Sequence, residues 1–504
     1  MSDIKFGTDG WRALMSDSFN TENVKKIAQA IADYLNEDAV GTVPTQLAGG
    51  QSPKVFIGYD TRQNSDTFAK ACADVLAANN IKVFLPERAI PTPITAFAIK
   101  DMSLSGAIMI TASHNPPQYN GIKFIPFYAG PATEDITKAI EKNLNVTRDP
   151  YVGLRPPRDD KNVLTKEDKY SVIPSERSDE ESPVTSTIDP IPAYKKHLED
   201  LIDTGLLRES KLKVLASPMF GAAHGIFSDI LKDYGCEVEA IDDEADPNFG
   251  GLTPEPIPKN LGSTIQKLKS NSYDIALVLD GDADRFGVFD SNALFIQANH
   301  VLALIADYLV SIRKLKGSLV RSVATTHFLD VIAQSNGLKA HETPVGFKYV
   351  GQIMREEPVV LGGEESAGLS VLNHIPEKDG ILAGLLLAEI TAYYGKPLGE
   401  VLEELFKKYQ RRFITRRLDL ELSMDAKEAL MRKLKTEPAG EIAGLKVTET
   451  IDIDGVKFIL EEGSWLLARP SGTEPIVRIY LEADSPSKLD KLEKYATALL
   501  DATE

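Results

Sequence analysis

The chain has 504 residues, of which 43% are hydrophobic and 26% are charged, with a formal net charge of −18. This length exceeds what one hydrophobic core organises, so roughly three or four domains of about 100 to 150 residues are expected. The acidic balance argues against nucleic acid as a partner, because binding to a phosphate backbone needs a basic face.

The cysteines and the first residues predict a cytoplasmic location. Cys72 and Cys236 lie far apart in the sequence, which indicates two reduced thiols rather than a disulfide framework. Residues 1–14 lack the basic start and apolar run of a signal peptide, and no stretch approaches about 18 uninterrupted apolar residues. We therefore expect a soluble protein with no membrane partner.

Strand-loop-helix patterns begin in the first hundred residues. Lys54 to Asp60 (KVFIGYD) is an apolar run that ends in a polar turn, and helical periodicity follows from Thr67 to Asn79. The pattern recurs at Leu212 to Pro218 and at Ser318 to Thr326. This repetition is typical of parallel sheets and predicts successive α/β domains rather than one large sheet.

A candidate reactive loop, TASHNPPQYNGIKF, follows the apolar run from Gly106 to Ile110. Ligands bind in α/β folds at the carboxyl ends of parallel strands, and Ser113 there could be a nucleophile or a phosphate carrier. Alternatively, Ser113 only caps a structural turn. Lys123 could stabilise phosphoryl charge or exchange a proton, or it could be an ordinary surface lysine.

The segment between about Asp149 and Asp189 is rich in charge, proline and serine and poor in apolar residues. Such a composition buries too little apolar surface to order itself. We interpret the segment as a long connector or insertion, with a solvated surface loop as the simplest form.

An acidic loop, Asp280-Gly-Asp-Ala-Asp-Arg285, follows the apolar run YDIALVLD. Three carboxylates at alternate positions form a set of hard oxygen ligands suited to Mg²⁺. A calcium loop of the EF-hand kind is excluded, because Arg285 stands where glycine is needed and Ser291 where glutamate is needed. A purely structural acidic turn is disfavoured, because three like charges repel one another without a cation.

A glycine-rich segment, GGEESAG, runs from Gly362 to Gly368 and lacks the lysine and spacing of a nucleotide-binding loop. Glu364 and Ser366 are suited to hydrogen bonds with sugar hydroxyls, although a plain polar turn is the alternative. Lys348 in TPVGFKY and Lys378 in HIPEKDG offer cations, or they are surface charges.

The last 90 or so residues read as a separate small α+β domain, with KVTETIDIDGVKFIL forming a hairpin around Asp454 and Gly455. Within it, RPSGTEPIVR sets Arg469 and Arg478 on either side of a Ser-Gly-Thr turn. Guanidinium groups, hydroxyls and backbone N–H groups could together surround a phosphate dianion.

Taken in order, FGTDGWRA, TASHNPPQYNGIKF, DGDADR, GGEESAG and RPSGTEPIVR resemble the motifs of the α-D-phosphohexomutase superfamily, the phosphoglucomutase/phosphomannomutase family. The resemblance spans nearly the whole chain. It implies a heart-shaped fold of four domains, with three related α/β domains and a C-terminal α+β domain around a central cleft. The expected bounds are 1–150, 189–298, 299–412 and 413–504, with 151–188 as the linker or insertion.

The resemblance also implies roles for individual residues. Those expected near the transferred phosphoryl group are Arg12, Ser113, His114, Lys123 and Arg285, with Arg62 of GYDTR supporting the serine loop. The expected ligands of Mg²⁺ are Ser113, Asp280, Asp282 and Asp284. The expected substrate contacts are Gly346, Lys348, Glu364, Ser366 and Lys378, and, around the phosphate that is not transferred, Arg469, Ser471, Gly472, Thr473 and Arg478.

The activity implied is the interconversion of glucose 1-phosphate and glucose 6-phosphate through phosphoserine, with glucose 1,6-bisphosphate as intermediate and activator, in a monomer or homodimer. The GEES form is similar to that of glucose-specific members. Ala367 and Gly368 stand where members that also accept mannose often carry glycine and histidine. A phosphomannomutase, a dual mannose and glucose enzyme and a phosphoglucosamine mutase stay open as alternatives. Outside the family, a Mg²⁺-dependent sugar phosphatase with Asp280 as nucleophile and an inactive binding protein are the alternatives.

Overall fold

The computed structural model describes residues 4–7, 10–38, 52–144, 185–270, 272–471 and 475–501. Most of the predicted connector, and Gly472 and Thr473, lie outside these residues. Two compact units make up the chain, Met1–Tyr194 and Lys195–Glu504. No helix in the described ranges is long and apolar enough to cross a membrane.

The first unit is built on a sheet with the strand order β1-β5-β4-β2-β3-β6. Its strands are β1 (Trp11–Leu14), β2 (Lys54–Tyr59), β3 (Lys82–Leu85), β4 (Gly106–Ile110), β5 (Tyr119–Pro126) and β6 (Thr185–Thr187). Its helices are α1 (Thr21–Asp38), α2 (Ser65–Ala78), α3 (Thr92–Asp101) and α4 (Glu134–Leu144). Strand β4, GAIMI, is buried along its whole length, as expected for a central strand covered on both faces.

Strand β6 corrects the predicted extent of the connector, which was placed at 151–188. Residues 185–187 pair in parallel with β3, and Ile188 N–H donates to Leu85 O at 3.0 Å. The sequence TST carries no apolar signal, so the pairing depends on backbone hydrogen bonds to an edge strand rather than on burial.

The second unit begins with the helices α5 (Ile191–Glu199), whose first turn belongs to the first unit, and α6 (Thr204–Ser210). Its first sheet has the order β10-β9-β7-β8. The strands are β7 (Lys213–Ser217), β8 (Glu237–Ala240), β9 (Ile275–Leu279) and β10 (Phe286–Asp290), with the helices α7 (Ile226–Asp233) and α8 (Gly262–Ser270).

The next sheet has the order β12-β11-β13-β14. Its elements are α9 (Ala298–Asp307), β11 (Ser318–Ser322), α10 (Phe328–Ser335), β12 (Ala340–Thr343), α11 (Phe347–Glu356), β13 (Val359–Glu364), β14 (Gly368–Val371), α12 (Gly380–Tyr394) and α13 (Leu398–Lys408). Helix α12, GILAGLLLAEITAYY, is apolar on every face, which is typical of a helix buried all round. It contacts β9 and β10 of the preceding sheet as well as β14.

The last sheet is antiparallel, with the order β15-β20-β19-β18-β17-β16. Its elements are β15 (Ile414–Glu421), α14 (Met424–Thr436), β16 (Glu441–Ile442), β17 (Leu445–Ile451), β18 (Val456–Leu460), β19 (Trp465–Pro470), β20 (Ile476–Ala483) and α15 (Pro486–Asp501). The predicted hairpin around Asp454 and Gly455 is the connection between β17 and β18.

The first three sheets share one topology. In each, the first strand lies between the second and the third, all three run parallel, and a fourth strand returns antiparallel to the third. These sets of four strands are β2 to β5, β7 to β10 and β11 to β14. The three predicted motifs TASHNPP, DGDADR and GEESAG therefore occupy equivalent loops, each between the third and fourth strands of its own sheet.

Candidate active site

The three equivalent loops also share a backbone feature. Each contains a non-glycine residue with left-handed φ: Ser113 at 51°, Ala283 at 58° and Ala367 at 67°. This conformation is uncommon for non-glycine residues and concentrates at functional sites. The Ser113 loop lies in the first unit, and the other two lie in the second.

The Ser113 backbone is held from both sides of the loop. Thr111 Oγ1 accepts the Ser113 N–H at 2.8 Å and donates to Asp60 Oδ2 at 2.6 Å. Ser113 is 1% exposed, and its Oγ lies 3.3 Å from His114 Nδ1. The serine hydroxyl is thus fixed beside an imidazole that can exchange a proton with it.

Arg62, predicted to support the serine loop, contacts the backbone of that loop. Its guanidinium donates to four backbone carbonyls, those of Ser113, Asn115, Pro116 and Tyr119, at 2.6 to 3.0 Å. Arg62 Nε also pairs with Asp60 Oδ2 at 3.1 Å, and both side chains are fully buried. Burial raises the pKa of Asp60, and the charge of Arg62 opposes that shift.

Two further cations lie in the first unit. Arg12, on β1, donates from Nη1 to Asn115 Oδ1 at 2.8 Å. Lys123, on β5, is 4% exposed and stands opposite Met109 of β4. Gly10, the residue before β1, allows the chain to approach β5 closely, because a Cβ at this position would lie 2.4 Å from Ile122 O. The structure thus brings Arg12 to the serine loop and buries Lys123 in the sheet that carries it.

Three carboxylates cluster in the loop after β9. Asp280, Asp282 and Asp284 are each 0% exposed, and one ligand oxygen from each lies within 4.8 Å of the others. Burial first, and then repulsion from Asp282 and Asp284, raises the pKa of Asp280 well above its usual range. A divalent cation would offset both effects, so the buried triad is able to bind a metal.

Backbone contacts hold this loop in shape. Arg285 N–H donates to Asp280 Oδ1 at 3.0 Å, and Gly380 N–H, at the start of α12, donates to Ala283 O at 3.0 Å. A Cβ on Gly380 would lie 2.5 Å from Arg285 O, so only glycine allows the helix this close. The amino end of α12 therefore packs directly on the carboxylate loop.

Lys378 and Arg285 both contact the third carboxylate. Lys378 Nζ lies 2.5 Å from Asp284 Oδ2, and Arg285 Nε lies 3.7 Å from Asp284 Oδ1. The next residue, Asp379, caps α12 by accepting the Leu382 N–H and contacts His374 Nε2 at 2.8 Å. A residue predicted to bind substrate thus also belongs to the carboxylate cluster.

Glu364 is fixed by the loop that precedes α11. Its Oε1 accepts the Gly346 N–H at 2.7 Å, and Gly346 has a left-handed φ of 129° that favours glycine. Burial, reinforced by the adjacent Glu365, raises the pKa of Glu364 to about 7. A carboxyl group titrating there can donate or accept a hydrogen bond near neutral pH.

The remaining predicted sugar-loop residues lie around Glu364. Ser366 is partly exposed in the turn between β13 and β14. Lys348, 9% exposed, stands at the start of α11 with its ammonium 5.0 Å from the Tyr349 ring centroid. A Cβ on Gly368 would lie 2.4 Å from Lys378 Cδ, so the absence of a side chain there gives Lys378 its path.

Arg469 and Arg478 are direct cross-strand partners on β19 and β20. Like charges in this arrangement repel one another. Asp454 Oδ2 accepts from Arg469 Nε at 2.8 Å, and Asp419 stands opposite Arg478 on β15. At the base of the loop, Lys427 Nζ donates to Ser471 O at 3.0 Å. The described part of this loop therefore concentrates cations, as an anion site requires.

Sequence reasoning missed Asp60, Asn115, Lys427 and Asp454. Asp60 carried a signal, because it ends a predicted strand inside the quoted GYDTR segment. Asp454 was predicted only as a turn residue and Lys427 carried no signal, since each reaches its partner in the site only through the fold.

Four family models match the chain. They are the phosphoglucomutase/phosphomannomutase alpha/beta/alpha domain I over residues 3–149, domain II over 192–293, domain III over 297–409 and the C-terminal domain over 423–498. The four matches follow one another along the chain in the same order as its four sheets.

Individual proteins match over nearly their whole length. A phosphoglucomutase of Komagataeibacter xylinus is 30% identical, covering 95% of this chain and 87% of that protein. A phosphoglucomutase/phosphomannomutase of Thermococcus kodakarensis is 30% identical, covering 98% of each. The structure of a Thermus thermophilus protein assigned as a phosphomannomutase superposes with a TM-score of 0.81 at 31% identity, covering 99% of each chain.

Proposed function

Because the chain belongs to the phosphoglucomutase/phosphomannomutase family and is a phosphohexomutase, an isomerase, we propose that it interconverts glucose 1-phosphate and glucose 6-phosphate through a phosphoserine at Ser113. The predicted family and four-domain α/β fold are confirmed by the same matches. The observation that carries the residue assignment is the buried, left-handed Ser113, held by Thr111 and Arg62.

In the proposed reaction, phospho-Ser113 gives its phosphoryl group to the free hydroxyl of a hexose monophosphate. The bond from phosphorus to Ser113 Oγ breaks as the bond to the sugar oxygen forms, and a sugar bisphosphate results. After the bisphosphate has reoriented in the site, its other phosphoryl group is transferred to Ser113. In the first transfer, the proton of that sugar hydroxyl ends on the departing Ser113 Oγ. His114, whose Nδ1 lies 3.3 Å from that oxygen, would relay it, and Lys123 and Arg12 would balance phosphoryl charge.

Asp280, Asp282 and Asp284 would hold a divalent cation, and their all-oxygen donor set favours Mg²⁺. When bound, the cation supplies neutralisation of phosphoryl charge. Arg285, anchored to the same loop, adds a fixed positive charge beside Asp284. Glucose 1,6-bisphosphate would act as activator by restoring the Ser113 phosphate whenever an intermediate escapes.

Sugar recognition would fall to Glu364 and Ser366, with Gly346, Lys348 and Lys378 around them. Arg469, Ser471 and Arg478, with Gly472 and Thr473, would grip the phosphate that is not transferred. Guanidinium forks suit a dianion, and the paired arginines of β19 and β20 supply two of them. Mannose phosphates and glucosamine phosphates are the alternative substrates for the same site. We further propose a cytoplasmic monomer or homodimer.

A labelling experiment tests the proposal. The protein is incubated with glucose 1,6-bisphosphate carrying ³²P, and the bound label is tested for release by hydroxylamine, which cleaves acyl phosphates and leaves phosphate esters intact. Label that resists hydroxylamine and is absent from Ser113→Ala supports phosphoserine, whereas label released by hydroxylamine points to an aspartyl phosphate and to the phosphatase alternative. Rates with glucose, mannose, glucosamine and N-acetylglucosamine 1-phosphates then identify the sugar.

A further inference from the structure

The carboxylate of Asp454 joins two loops of the candidate site. Its Oδ2 accepts from Arg469 Nε at 2.8 Å and from Val345 N–H at 3.1 Å. The residue after Val345, Gly346, donates its N–H to Glu364 at 2.7 Å. One short path therefore runs from the phosphate-loop arginine to the sugar-loop glutamate, through a single carboxylate and two adjacent peptide groups.

The turn that carries Asp454 is held tightly against β19. Gly455 has φ 96°, and a Cβ there would lie 2.4 Å from Ala468 O and 3.0 Å from Arg469 Cα. Any other residue would push the turn away from Arg469. The position of the Asp454 backbone is thus set by the strand that also carries its arginine partner.

The same hairpin is fastened to the preceding sheet by Lys457. This lysine is 0% exposed and donates at 2.8 Å both to Val323 O, beyond β11, and to Glu342 on β12. Its ammonium lies 4.3 Å from the Trp465 ring centroid. Burial lowers the pKa of Lys457 to about 8. Asp454 therefore sits on a hairpin with fixed contacts to both sheets.

An Nε bond to a carboxylate orients the guanidinium plane without using the Nη groups, which suit the fork geometry of a phosphate. A carboxylate behind one of two facing arginines also reduces their mutual repulsion. Asp454 thus fixes the orientation of the Arg469 guanidinium before the ligand binds.

We propose that Asp454 is a positioning residue that orients Arg469 for the phosphate and couples that grip to the Gly346 and Glu364 contact of the sugar loop. This inference rests on the proposed roles of Arg469 and Glu364. Asp454 touches neither substrate nor reacting atoms in this proposal. Its effect reaches the substrate through Arg469 and through the peptide at Val345.

The test is a double-mutant cycle on KM for glucose 1-phosphate, with Asp454→Ala, Arg469→Ala and the double variant. Asp454→Ala should raise KM by about 5- to 10-fold with a smaller fall in kcat, and its effect should largely vanish when Arg469 is already alanine. Asp454→Asn, which keeps an acceptor for Val345 N–H but loses the charge, should show an intermediate effect. Asp452→Asn, an exposed residue in the same turn, is the matched control and should leave KM unchanged.

The outcomes separate the two claims. An unchanged KM in Arg469→Ala means that the proposed phosphate grip is wrong. A raised KM in Arg469→Ala combined with a normal KM in both Asp454 variants overturns the positioning role. Fully additive effects of Asp454→Ala and Arg469→Ala overturn it too, because a merely structural role would act independently of the arginine. Should Asp454→Ala fail to fold, the cycle is run with Asp454→Asn.

Discussion

Lys378 Nζ lies 2.5 Å from Asp284 Oδ2, so an ammonium group of the protein itself is bound to one of the three carboxylates able to hold a metal. Both side chains are buried, and each stabilises the charge of the other in a medium of low dielectric constant. A divalent cation bound to Asp284 would share that carboxylate with Lys378. The lysine is therefore expected to weaken metal binding, in addition to the substrate contact proposed for it.

Replacing Lys378 with methionine should tighten metal binding by about 10-fold, because a like charge next to the cation is removed. Titration of unphosphorylated protein with Mn²⁺, followed by electron paramagnetic resonance, measures this directly. Lys348→Met is the control, since the Lys348 ammonium lies near the Tyr349 ring, and its Mn²⁺ affinity should not change. Unchanged or weaker binding in Lys378→Met would contradict the competition.

Replacing Ser113 with alanine should reduce mutase turnover by several orders of magnitude, because the hydroxyl that carries the phosphoryl group is lost. Turnover is measured with glucose 1-phosphate and a saturating bisphosphate activator. Ser103→Ala is a matched control, since Ser103 also has a left-handed φ, 52°, but is exposed. Near-normal turnover in pure Ser113→Ala would refute the nucleophile assignment.

Replacing Arg62 with alanine should destabilise the first unit by about 3 to 5 kcal/mol, because Asp60 becomes an uncompensated buried charge. The free energy of the corresponding urea transition measures the loss. Adding Asp60→Asn to Arg62→Ala should recover part of it. Arg12→Ala, which removes the hydrogen bond of a partly exposed side chain to Asn115, should cost about 1 kcal/mol. Equal losses from the two arginine variants would argue against the buried pair.

The raised pKa of Glu364 predicts a specific pH dependence of stability. Its pKa rises from 4.5 to about 7 on folding, so the folded state binds the proton more tightly. This contribution is complete below pH 4.5 and is lost as the pH rises through 7. Glu364→Gln should therefore gain stability relative to the parent protein across that range, as measured by unfolding free energies. A stability difference between Glu364→Gln and the parent protein that stays constant between pH 4.5 and 7 would contradict the raised pKa of Glu364.

Glucose 1-phosphate should be preferred over mannose 1-phosphate by about 10- to 100-fold in kcat/KM, each assayed with its matching bisphosphate. The two sugars differ at one hydroxyl, and one mismatched hydrogen bond costs about 1 to 3 kcal/mol. A preference for mannose or glucosamine would overturn the sugar assignment and leave the family assignment intact.

Local patterns predicted a large part of this molecule. The strand-loop-helix segments, the hairpin at Asp454 and the three motif loops follow from runs of apolar residues and turn chemistry, which act over a few neighbours. Strand β6 was not predicted because TST has no apolar side chain, and this strand forms only by backbone pairing with β3. The contacts of Asp454 with Val345 and of Lys457 with Glu342 escaped because they span 109 and 115 residues.

The common topology of the first three sheets has a consequence for how this enzyme tolerates change in length. Each of the three motif loops starts where a parallel strand ends. Inserting or deleting one residue in β4, β9 or β13 would therefore displace the loop that follows by about 3.3 Å and turn the side chains beyond the change to the opposite face of the sheet. Surface connections that carry none of the candidate site residues have no such constraint. Insertions and deletions should therefore be nearly absent from those three strands among the functional members of an insertion library, while surface connections accept them. The lengths of β4, β9 and β13 thus determine where the active-site loops lie.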